Sequence, residues 1–260
     1  MASAFANVTT AADVAGFVAP RGLPSPSERV SLWWCALACS AGAAATIAGW
    51  LSSDERTRMQ RFGSDTLRTR YLVGRASLRW VLAQTLGVAP RDIEIERGPR
   101  GRPRLIGAER LDFNVSHTAD VALIGLSRDG RIGVDVERED RTIHSAGLAR
   151  RILTDRERAA LPTDDDDAVR RRILRLWTCK EALAKATGDA MSAPFGRIDI
   201  EIDPALTLAG GPAPYHARDF TLVAAVVPVG YLGTVALWRP RNVGDQSGST
   251  RGHTRSPESA

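Results

Sequence analysis

Residues 121–137 read VALIGLSRDGRIGVDVE, and the fold turns on this stretch. Two apolar runs flank Asp129-Gly130, a dipeptide favoured in tight turns, so the spacing predicts a β-hairpin whose second strand is IGVDVE (132–137). Side chains alternate across a strand, which sets Val134 and Val136 on one face and Asp135 and Glu137 on the other. Two acids side by side repel unless the face is solvated, a proton is shared, or a cation lies between them. A polar outer face of an antiparallel strand is the simplest of these readings, and the six residues alone do not choose.

Upstream, short strands are expected at DIEIERG (92–98), PRLI (103–106) and LDFNVSHT (111–118). Before them, Asp65 begins a long helix with apolar Leu67, Tyr71, Leu78, Val81, Leu82 and Leu86, and Gly87 closes it. Ser52 or Ser53 caps a shorter helix, DERTRMQRF. The uncharged run LWWCALACSAGAAATIAGWL (32–51) meets the length of a membrane span, but Ala and Gly dominate it and no second span accompanies it. It reads as a buried strand over 30–38 followed by a small-residue helix, with one of Trp33 and Trp34 facing the core and the other the opposite surface. Residues 1–28 lack the basic start of a secretion signal, and Pro20, Pro24 and Pro26 predict a loose lead-in.

Downstream come short helices around 145–160 and an acidic run, TDDDD (163–167), read as a solvated loop or helix start. A helix from about 168 to Gly188 and strands at 197–202, 219–227 and 231–238 follow, and 241–260 is expected to be disordered. The element order predicts an α+β fold, a pseudo-dimer of two similar halves, 29–130 and 131–240. Each half is expected to have a small antiparallel sheet packed on helices, and an active site drawing on both would lie at their interface.

With 43% hydrophobic residues, the 260-residue chain can bury a full core. Cys35, Cys39 and Cys179 form neither a disulfide framework nor a zinc pattern, which points to a reducing compartment, the cytoplasm. A net charge of +5 suggests an anionic partner. Of 35 basic side chains 33 are Arg, and the only lysines are Lys180 and Lys185, so something nearby calls for an ammonium. In the helix that holds them, Trp177, Glu181 and Lys185 recur every fourth residue and form one stripe. If that stripe faces IGVDVE, then Asp135, Glu137 and Glu181 offer three oxygen ligands suited to Mg²⁺ shared with a phosphate-bearing substrate. Lys185, one turn away, would neutralise charge on a leaving phosphate.

IGVDVE, followed some forty residues later by LWTCKEALAKATG (176–188), with RGRPRL (100–105) and FNVSHT (113–118) upstream, resembles the 4'-phosphopantetheinyl transferase superfamily. The paired signatures G-[IV]-D-[IV]-E and W-[ST]-x-K-E-[AS]-x-x-K are both matched. The resemblance covers roughly 30–238, and the length is similar to the surfactin-type, single-chain members. It implies transfer of the 4'-phosphopantetheine of coenzyme A to a serine of an apo acyl or peptidyl carrier domain, with release of adenosine 3',5'-bisphosphate. The carrier would belong to a fatty-acid, polyketide or nonribosomal-peptide synthase, and a monomer is expected, with neither nucleic acid nor membrane as partner.

The resemblance also implies that Asp135, Glu137 and Glu181 bind Mg²⁺, with Mn²⁺ as an alternative. Glu181 would be the base for the serine and Lys185 the group that meets the departing nucleotide. Lys180, Ser116, His117 and Arg102 would contact coenzyme A, Thr118 keeping a hydroxyl at the third position of the segment that begins with Ser116. In LSSDERTRMQRF (51–62), Glu55 stands where the family carries a basic residue for the 3'-phosphate, leaving Arg56, Arg58 or Arg70 to supply the charge. Two other readings are weaker. A coenzyme A-binding member without catalysis is opposed by the intact Asp135, Glu137, Glu181 and Lys185. A nucleic-acid binder is opposed by arginines spread through the chain and interleaved with acids.

Overall fold

The computed structural model describes residues 14–98, 100–141 and 145–240, so the start of the lead-in and the tail expected to be disordered lie outside the described residues. In chain order the strands and helices are β1 (Arg21–Leu23), β2 (Val30–Ala36), α1 (Ala41–Ala48), α2 (Ser53–Gln60), α3 (Asp65–Leu86), β3 (Ile95–Arg97), β4 (Pro103–Leu105), β5 (Asp112–Thr118), β6 (Val121–Ser127) and β7 (Arg131–Arg138). The second half adds α4 (Ser145–Ile152), α5 (Asp155–Ala159), α6 (Asp166–Thr187), β8 (Asp199–Glu201), β9 (Thr207–Gly210), β10 (Phe220–Ala225) and β11 (Tyr231–Trp238).

Local signals set most boundaries. Ser52 and Glu55 form a reciprocal capping box on α2, and Gly87 ends α3 at φ +72°. The acidic run starts a helix: Asp165 accepts the N–H groups of Asp167 and Ala168, and Asp166 and Asp167 sit where the helix dipole favours negative charge. No helix among the described residues is long and apolar enough to cross a membrane, and the uncharged run splits into β2 and the eight-residue α1.

Three expectations change. Residues 21–23 are not loose but pair with β2, since Pro20 and Pro24 flank the strand and their missing N–H groups fall outside its ladder. Both tryptophans are covered: Trp33 packs edge-on against Trp80, and Trp34 against Tyr231 on the opposite side. The third change concerns the opening stretch. β6 and β7 are joined by a tight turn with Gly130 at φ +80°, yet they lie in different sheets. The first sheet runs β1-β2-β6-β5 and the second β10-β11-β7, all antiparallel. The true hairpin is one strand earlier, between β5 and β6. The reason is visible at Gly125, where an added Cβ would lie 2.6 Å from Val134 and 2.8 Å from Ile132. Side chains of β7 thus cover the bare face of β6 rather than its hydrogen-bonding edge. Ile132, Val134 and Val136 join Leu32, Trp34 and Leu123 in one apolar cluster between the sheets.

The N–H edge of β7 turned toward β5 is satisfied by side chains. Asp112, Asn114 and Ser116 accept from the backbone of Ile132, Val134 and Val136 at 2.7, 2.9 and 3.3 Å. On its other face β7 receives α6 at Gly133, where a Cβ would meet the carbonyl oxygen of Ala182 at 1.9 Å. Gly133→Ala should therefore lower stability by about 1–3 kcal/mol or more in a urea titration. An unchanged midpoint would contradict the close seating of α6.

Candidate active site

The seating of α6 on β7 brings the two acidic segments together. Lys185 Nζ donates to Asp135 Oδ1 at 2.6 Å and to Ser116 Oγ at 2.9 Å, while Ser116 donates to Asp135 Oδ1 at 2.7 Å. Glu137 is held from three sides: Thr118 Oγ1 donates to Oε2 at 3.1 Å, and Trp177 Nε1, at 3.3 Å, and Arg141 donate to Oε1. Glu181 completes the stripe. Asp135, Glu137 and Glu181 are all buried.

Burial pushes the Glu181 carboxyl up; Lys185 opposes the rise, and Asp135 and Glu137 add to it. Burial also pushes Glu137 up, with Arg141 opposing and Asp135 adding. The repulsion read from the sequence is thus real, and two cations already answer part of it. Among the described residues, no three His, Cys, Asp or Glu side chains stand ready-made as a metal-holding group. Yet Asp135 Oδ2 and Glu181 Oε1 are buried without a hydrogen-bond partner. Unsatisfied buried carboxylate oxygens are costly, and oxygen donors are what a hard divalent ion takes. These residues fit such an ion.

The opposite face of β5 borders a cleft of about 390 Å³ lined by Phe62, Leu67, Arg70, Tyr71, Arg75 and His117, among others. An adjoining depression of about 550 Å³, also bounded by Phe62, holds Arg58 and Arg61. Arg58, Arg70 and His117 thus border neighbouring clefts, and Thr118 links them to the acids by lining the first cleft while bonding Glu137. Ser116 points the other way, because neighbours on a strand face opposite sides. Leu67, the first apolar residue of the helix pattern, is exposed on the cleft wall. Arg75 is not among the residues singled out by the sequence, although it shares one helical stripe with Leu67, Arg70, Tyr71 and Gly74.

Two expected coenzyme A contacts do not join the group. Lys180 is fully buried on another side of α6, donating to Glu157 at 2.6 Å and to the carbonyls of Ile152 and Phe195. Burial pulls its ammonium down while Glu157 supports the charge. Arg102 is engaged internally, with Asp112 and the carbonyls of Lys185, Phe113 and Ile132. Glu55, at the position where the family carries a basic residue, points inward. It accepts from Arg75 and from Arg79 and so ties α2 to α3. Arg56 donates to the carbonyl of Leu51.

The family described as the 4'-phosphopantetheinyl transferase superfamily matches residues 131–225, and that described as 4'-phosphopantetheinyl transferase, N-terminal, matches 39–128. The 4'-phosphopantetheinyl transferase HetI of Nostoc sp. is 33% identical over 230 residues, covering 85% of this chain and 94% of HetI. The chain belongs to the 4'-phosphopantetheinyl transferase superfamily. It is an enzyme of the two-half type and moves phosphopantetheine from coenzyme A to carrier proteins. AcpT of Escherichia coli K12 is 33% identical over 121 residues, 46% of this chain and 58% of AcpT. The 4'-phosphopantetheinyl transferase of Bacillus subtilis is 24% identical over 164 residues, 63% of this chain and 71% of that protein.

Lys180→Met should strand the buried Glu157 carboxylate and cost about 3–5 kcal/mol of stability. Coenzyme A affinity of the folded fraction, measured by calorimetry, should stay unchanged. A weakened affinity at unchanged stability would return Lys180 to the ligand site.

Proposed function

We propose that Asp135 and Glu181, with Glu137 adjoining, hold a divalent cation, Mg²⁺ or Mn²⁺, and that the transfer takes place beside Lys185. The observation that carries this reading is the pair of buried, unpartnered oxygens, Asp135 Oδ2 and Glu181 Oε1, offered from β7 and α6. A bound Mg²⁺ supplies positive charge to the pyrophosphate of coenzyme A.

The acceptor is a serine hydroxyl of the apo-carrier, a weak nucleophile at neutral pH. Glu181 takes the serine proton, directly or through water. The serine oxygen bonds to the phosphorus that carries pantetheine as the bridging P–O bond breaks. The Lys185 ammonium, aimed by Asp135 and Ser116, neutralises or protonates the leaving oxygen of adenosine 3',5'-bisphosphate. Arg58, Arg70 and His117 border the clefts that suit the nucleotide and its 3'-phosphate. One chain supplies both sides of the site, β5 from the first half and β7 with α6 from the second, which supports action as a monomer. Three unpaired cysteines suit the cytoplasm.

Incubation with apo-carrier, coenzyme A and Mg²⁺ should add the mass of one phosphopantetheine. No addition to any carrier from fatty-acid, polyketide and peptide synthases would overturn the reading. Glu181→Gln and Lys185→Ala proteins should fold and lose about 10²-fold or more in turnover. Wild-type turnover in either would remove the role given to that residue.

A further inference from the structure

The geometry points to Arg102 as a positioning residue that caps α6 and fixes Lys185 against Asp135, and not as a phosphate ligand of coenzyme A. The inference rests on the role proposed for Lys185. A helix leaves its last four carbonyls without intrahelical partners, and that of Lys185, two residues before the end of α6, is one of them. The C-cap Gly188 donates instead to Ala184. Arg102 Nη1 donates to the Lys185 carbonyl, the donor that the ended helix lacks.

The other arm of the fork reaches the strands that carry the rest of the site. Arg102 Nη2 donates to Asp112 Oδ2 at 2.5 Å, to the Ile132 carbonyl at 2.7 Å and to the Phe113 carbonyl at 3.2 Å. Asp112 in turn accepts the N–H of Ile132 at 2.7 Å. One guanidinium therefore joins β5, β7 and the last turn of α6, the three elements that supply Ser116, Asp135 and Lys185. Its side chain is only 10% exposed. Its stem lies beside the helix end, the Cβ and Cδ of Arg102 standing 3.7 Å from where a Cβ on Gly188 would be, an ordinary van der Waals contact. The same β3–β4 connection carries Arg100, which pairs with Asp189 at 2.5 Å, just beyond the helix end.

Bonds in two divergent directions need the planar fork, and a lysine ammonium on a single stem cannot span them. The contrast with a phosphate ligand is sharp, because phosphate tolerates a lysine as a point charge. Three proteins, Arg102→Lys, Arg102→Ala and Lys185→Ala, together with Arg102→Lys/Lys185→Ala, decide the matter. Should Arg102→Ala fail to fold, Arg102→Lys, which keeps charge and stem, carries the comparison. The coenzyme A Kd by calorimetry should change less than about twofold in Arg102→Lys, while kcat falls about tenfold to a hundredfold. In single turnovers of the Lys185→Ala protein, adding Arg102→Lys should cost less than about threefold, since the group being positioned is gone.

A Kd weakened about tenfold in Arg102→Ala and restored in Arg102→Lys would make Arg102 a phosphate ligand and overturn the inference. Wild-type kcat in Arg102→Lys, or equal losses in both Lys185 backgrounds, would overturn it too, the latter leaving a general structural role. Wild-type turnover in Lys185→Ala would instead remove the role of Lys185 itself.

Discussion

Helix α6 approaches β7 so closely that only a glycine fits between their backbones, and the rest of the site depends on that approach. At Gly133 a side chain would enter the Ala182 carbonyl. From that contact, residues three on and five back along the helix reach residues two and four positions along the strand. Lys185 meets Asp135, Trp177 meets Glu137, and Glu181 lies between. The strand's far edge is bound to β5 through Asp112, Asn114 and Ser116. The first half of the chain is thereby locked to the second without a continuous sheet.

The electrostatics follow from the same packing. Placing three acids in a buried patch is unfavourable unless each charge meets a partner. Lys185 and Arg141 supply two cations, and two carboxylate oxygens remain without a partner. In the proposed transfer the lysine that pairs with Asp135 is also the group that meets the leaving nucleotide. Its position is set by Asp135 and Ser116 at the side chain and by Arg102 at its own carbonyl.

Much of this was legible in the sequence. Capping residues and glycine stops gave α2, α3 and α6, and alternation gave the shared face of Asp135 and Glu137. The stripe Trp177, Glu181, Lys185 does lie against that face. What local pattern cannot show is which strands pair. Asp129-Gly130 predicts a tight turn, and a tight turn forms, but whether it closes a hairpin or turns a corner between sheets depends on Gly125 and its packing. The scarcity of lysine flagged two residues with different fates. Five positions apart on a helix, their side chains diverge by about 140°, so one faces the acids and the other the core. Glu55 shows a related limit: a charged residue inside a motif has internal partners, here Arg75 and Arg79, that the local sequence does not reveal.

Asp135 and Glu181 are proposed to hold one divalent cation across the β7–α6 contact. Electron paramagnetic resonance of free Mn²⁺, titrated against the enzyme with coenzyme A present, tests it directly. One tight site per chain in the wild type, lost in Asp135→Asn/Glu181→Gln protein that still melts cooperatively, is the predicted result. An unchanged site in that variant would contradict the account.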